Sequence, residues 1–116
     1  MVKIIILWKP MSVNQTYARS KFSFYMTAKW KEYKEETIQQ ALQQYKKKPL
    51  EWNIEVEFKY YFADNRVHDH LNFNKCLNDA LTWIVWLDDK QIKISHHYTL
   101  KDSINPRIEL MIKTIW

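Results

Sequence analysis

The chain has 116 residues, 47% of them apolar and 16% aromatic, and a formal net charge of +5. That size and composition describe one folded domain, residues 1–116, and exclude a disordered chain, while the basic balance favours a polyanionic partner. Glycine is absent, which excludes P-loop and dinucleotide-binding loops and with them a nucleotide cofactor held in either, and the single cysteine, Cys76, excludes an internal disulfide and cysteine zinc sites.

Residues 2–8 form a continuous Ile-rich run, read as a buried strand that ends at Lys9-Pro10. The run is too short for a signal peptide or a membrane span, so a cytoplasmic protein without membrane contact is expected. Residues 9–26 read as a long loop or loose hairpin in which Lys9, Arg19 and Lys21 interleave with Tyr17, Phe22, Phe24 and Tyr25. Such a mixture can hold a phosphate backbone and stack on unpaired bases, or simply tuck its aromatics under a solvated loop. Thr27 is a fair N-cap for a helix over 28–47, whose buried stripe is Trp30, Tyr33, Thr37, Ile38, Ala41, Leu42 and Tyr45. Lys46-Lys47-Lys48 suits the negative end of that helix, and Pro49 stops it.

From Trp52 to Phe62, apolar Trp52, Ile54, Val56, Phe58, Tyr60 and Phe62 alternate with Asn53, Glu55, Glu57, Lys59 and Tyr61. This is a strand with one wet or partner-covered face. A second helix over 70–83 buries Phe73, Cys76, Leu77, Ala80, Leu81 and Ile84. Two further alternating runs, 91–98 and 107–113, are strands joined by a polar loop over 99–106. The order β-α-β-α-β-β predicts an α+β domain with a mixed sheet of about four strands and two main helices.

The chemistry concentrates between Arg66 and Ile92. Asp69 opens the second helix; on a helical wheel Asn72, Lys75 and Asp79 share its polar side; Asp88-Asp89 follow its end. Read plainly, Asp69 is an N-cap and Asp88-Asp89 an ordinary turn. Read as chemistry, two acidic sites joined by a short helix converge on one cation, with Lys75 facing the same point. Charge supports a division of labour: residues 1–50 hold ten Lys/Arg against three Glu, and residues 51–116 hold eight against ten acids. A basic front half would grip phosphates while the acidic back half holds a metal.

The spacing Asp-x-x-Asn-x-x-Lys-x-x-x-Asp-Ala-Leu over 69–81, followed by Asp-Asp-x-Gln-Ile over 88–92, resembles the signature of the RusA family of Holliday-junction resolvases. Trp8-Lys9-Pro10 with Asn14 and Tyr17 is similar to the family's opening strand, Trp/Pro turn and Asn/Tyr loop. The resemblance implies a RusA-like fold and a homodimeric, Mg²⁺-dependent endonuclease, with Mn²⁺ as an alternative metal, that nicks four-way DNA junctions symmetrically in recombination and repair. It implies prophage origin as well. Carried over by position, Asp69, Lys75 and Asp89 would be catalytic. Asp69, Asp79, Asp88 and Asp89 would hold the metal, and Lys9, Asn14, Tyr17, Arg19, Lys21, Arg66, Asn72 and Lys75 would contact DNA. The chain departs from the pattern at Leu71, where the family's second metal-binding acid belongs, and it has one residue fewer between Asp79 and the acid pair. Leucine cannot ligate Mg²⁺. The alternative is therefore a module of the same fold that binds branched DNA and cuts it poorly.

Overall fold

The computed structural model describes residues 1–7, 17–19, 24–26, 28–63 and 70–115, and the side chains of all of these except 17–19, 24–26, 28–30 and 70–73. In chain order the elements are β1 (Val2–Ile6), β2 (Tyr17–Arg19), β3 (Phe24–Met26), α1 (Ala28–Gln44), β4 (Ile54–Phe62), α2 (His70–Leu81), β5 (Ile92–Lys101) and β6 (Arg107–Thr114). Four strands make one mixed sheet in the order β1-β6-β4-β5, and β2 pairs with β3 in a small separate hairpin. The fold is α+β, as the pattern predicts. β4 and β5 are parallel, so the chain must cross over between them, and α2 lies in that connection.

The alternation of β4 is complete: every even residue from Ile54 to Phe62 is buried and every odd one half-exposed. The buried set joins Ile4, Ile6, Ile108, Leu110 and Ile112 on one face of the sheet, against Ala41 of α1, Tyr45 just past its end, and Leu77 and Leu81 of α2. The opposite face carries Glu55, Glu57, Lys59, Glu109 and Lys113. Lys59 lies 3.3 Å from Glu57 and Arg107 2.7 Å from Glu109, and a ring nitrogen of His96 hydrogen-bonds Glu55 at 2.8 Å.

Two expectations need correction, and one strand takes an orientation that its pattern left open. Leu42 is exposed, not part of the buried stripe, because α1 buries the row Tyr33, Thr37 and Ala41 at four-residue steps, which Tyr45 continues just past the helix end. Trp52 is exposed ahead of β4, which begins at Ile54. In β5 the apolar residues turn outward. The register runs Ile54↔Ile92 and then Glu55↔Ile94, so Lys93 is an extra residue that shifts the strand's parity. Beyond this bulge Ile94, Tyr98 and Leu100 are exposed, while His97 stacks on Phe58 with ring centroids 4.9 Å apart.

The outer edge of β1 is closed by α1. Gln44 Oε1 accepts the N–H of Ile5 and Gln44 Nε2 donates to its carbonyl, both at 2.7 Å, and Gln40 Oε1 accepts the N–H of Leu7 at 2.7 Å. Two amides thus stand in for a neighbouring strand.

Candidate active site

α2 ends at Leu81, and the chain then makes a tight turn closed by the Trp83 N–H donating to the Trp86 carbonyl at 2.7 Å. Thr82 Oγ1 donates back to the Asn78 carbonyl at 2.7 Å. Val85 and Trp86 are fully buried and anchor the turn, whereas Trp83 projects outward, 70% exposed. Trp83 has φ 75°, the single non-glycine residue with positive φ among the described residues. The left-handed region costs a side chain bearing a Cβ on the order of 1–2 kcal/mol. The turn spans the region where the chain is one residue short of the family pattern.

The acid pair follows at once. Asp88 caps a short 3-10 turn, Asp89–Gln91, its carboxylate accepting the Lys90 N–H at 2.9 Å. That backbone N–H is the main reason the Asp88 carboxyl titrates below the usual range, with Asp89 and the Lys90 charge adding to it. Gln91 completes the capping box and does more. Its Oε1 accepts the N–H groups of Leu87 and Asp88 at 2.9 and 2.8 Å, and its Nε2 donates to the carbonyls of Leu50 and Trp52 at 2.8 and 2.9 Å. One side chain therefore ties the acid turn to the segment that leads into β4.

Asp79, Asp88 and Asp89 line a single open cleft of about 680 Å³, together with Lys34, Ile38 and Trp83. Lys75 lies 3.9 Å from Asp79, one helical turn away, and both side chains are well exposed. Such an exposed pair contributes only about 0.3–0.5 kcal/mol, so an incoming phosphate can displace it. Further along α2, Asn74 Nδ2 donates to the Tyr60 hydroxyl at 2.7 Å and Asn78 Nδ2 to Asn74 Oδ1 at 2.9 Å, fixing the helix on β4.

The structure thus brings three of the four metal candidates, Asp79, Asp88 and Asp89, to one cleft. Asp69, Lys9, Asn14, Lys21 and Arg66 lie outside the described residues, as do the side chains of Tyr17, Arg19, Leu71 and Asn72. Oxygen-only donors suit Mg²⁺, which takes one or two carboxylates and completes its shell with water and phosphate. Among the described residues no three His, Cys, Asp or Glu side chains form a group that could hold a metal ion. The cleft acids supply donors of the right kind and need others to complete a site. Sequence reasoning missed Gln91 as a tether, Lys34 as part of the cleft and Trp83 altogether. The signal for Trp83 was a helix end in a glycine-free chain, where a residue bearing a Cβ takes any left-handed position.

Among the described residues no helix is long and apolar enough to cross a membrane. A family model described as Endodeoxyribonuclease RusA matches residues 8–113. The chain matches no curated protein.

Proposed function

The chain belongs to the RusA endodeoxyribonuclease family, and from that membership we propose that it binds four-way DNA junctions and cuts them by paired, metal-dependent nicks. The observation that carries this reading is the open cleft that Asp79, Asp88 and Asp89 all line, beside the Lys75 that the family pattern makes functional. Mg²⁺, or Mn²⁺ in its place, would be held by Asp69 and Asp89 with Asp88 and Asp79 in support, and would supply charge neutralisation at the scissile phosphate. Lys75 would add a cation where negative charge develops, and Gln91 holds the acid turn in place. Lys9, Asn14, Tyr17, Arg19, Lys21, Arg66 and Asn72 would contact the DNA backbone and bases.

A homodimer follows from symmetry, since paired nicks in a two-fold junction need two sites. The topology adds a chemical reason. α2 is 12 residues long, so its ends are about 16–18 Å apart, with Asp79 in its last turn and Asp69 immediately ahead of its first residue. The acid turn sits level with the start of β4, through the Ile54↔Ile92 pairing, whereas the chain enters α2 after the far end of β4. An ion shared by Asp69 and Asp89 would then draw on two copies, the helix mouth of one meeting the acid turn of the other.

The test is cleavage of a synthetic four-way junction with Mg²⁺ and Mn²⁺ side by side. Active protein cuts in one or both, and Asp89→Asn abolishes cutting while leaving binding largely intact. Leu71 favours a second reading, a junction-binding module with impaired chemistry. Under that reading the unsubstituted chain binds without cutting, and Leu71→Asp raises cleavage sharply. Failure to bind the junction in preference to duplex would sink both.

A further inference from the structure

We propose that Trp83 is a stacking platform for an unpaired or unstacked nucleobase at the branch point, a binding role that rests on the junction-binding function above. Three observations meet at this residue. Its indole is 70% exposed, although its turn neighbours Val85 and Trp86 are completely buried and already anchor the turn. Its backbone sits at φ 75°, where glycine is at ease, asparagine is tolerated and a bulky side chain is not. And it lines the same cleft as Asp79, Asp88, Asp89 and Lys34.

The hydrogen bond that closes the turn does not use the ring. It runs from the Trp83 backbone N–H to the Trp86 carbonyl, and any residue but proline can make it. A nucleobase does suit the exposed indole. Bases present a neutral π face, so stacking tolerates the neighbouring carboxylates, and Lys34 on the same cleft wall supplies a cation for the attached phosphate. A cleavage centre also needs the strand held still at the scissile bond, and a base clamped beside the acid pair does this.

The experiment compares Trp83→Gly, Trp83→Ala and Trp83→Phe with the unsubstituted full chain, with divalent metal withheld so that binding is read without cutting. The probes are a synthetic four-way junction with 2-aminopurine at its branch point and a fully paired duplex of equal length. Stacking against an aromatic ring implies roughly a 5- to 150-fold weaker Kd for the junction in Trp83→Gly and Trp83→Ala. Trp83→Phe, which keeps a π face, stays within about threefold of the parent. The slope of log Kd against log salt is unchanged, because no phosphate contact is lost. The parent alters 2-aminopurine emission and Trp83→Gly does not. Trp83→Gly melts at or above the parent temperature, since glycine relieves the backbone; a merely structural Trp83 predicts the reverse. Parent-like junction affinity in Trp83→Gly overturns this proposal alone, as does a large fall in its melting temperature. A parent chain that does not prefer junction to duplex overturns the functional reading and this inference together.

Discussion

Gln91 shows how one side chain sets the geometry of the acid turn. Its four hydrogen bonds span Leu50 and Trp52 on one side and Leu87 and Asp88 on the other. Gln91→Ala leaves those backbone groups to water and should destabilise the fold by about 1–3 kcal/mol, read by urea denaturation. Cutting should fall further than junction binding, because the turn bearing Asp88 and Asp89 loses its tether. The type of residue was legible in the Asp-Asp-x-Gln-Ile spacing; its two distant partners, Leu50 and Trp52, were not. The carboxylates make a second prediction. Asp88 and Asp102 are both held below the ordinary value of 3.8, by the Lys90 N–H first in one case and the Asn105 N–H first in the other. A lowered folded pKa gives stability that is complete above the ordinary value and is lost as pH falls through the lowered one. Asp102→Asn should therefore flatten the acid limb of a stability–pH curve while changing little in its slope at neutral pH.

At the scale of elements, β5 is where pattern and placement part. Alternation identifies the strand correctly, but alternation has no sign, and the bulge at Lys93 decides which face each set takes. Deleting Lys93 removes the bulge and leaves Ile92 opposite Ile54 and Ile94 opposite Glu55, so Ile94, Tyr98 and Leu100 stay outward and His97 stays on Phe58. The expected result is a melting temperature close to the parent's, as for Lys93→Ala, which keeps the bulge. A clear loss of thermal stability in the deletion would show that the bulge itself, and not only the parity it sets, is needed. In α1 the periodicity gave the helix but made the buried stripe too wide, because an apolar residue such as Leu42 counts in a pattern even where nothing packs on it. Nor did the pattern show that Gln40 and Gln44, polar and partly exposed, close the edge of β1.

At the scale of the molecule, the proposed two-copy cation site can be tested by complementation. Asp69→Asn and Asp89→Asn should each be inactive alone. Mixed dimers contain one site with both acids intact if the ion draws on two copies, so the mixture recovers roughly a quarter of the sites, each making a single nick. If every site lies within one chain, the mixture stays as inactive as its parts. The sequence alone determined the α+β class, the alternation of β4, the helical stripe of α2 and the spacing of the family's acids, because these depend on short-range periodicity and residue type. Only the tertiary structure decided that Asp79 shares a cleft with Asp88 and Asp89, that Lys93 inverts the faces of β5 and that Trp83 stands exposed in a left-handed turn. Those outcomes depend on strand register, on where the crossover returns the chain, and on which turn fits between two packed elements. They arise from long-range packing, which no local pattern encodes.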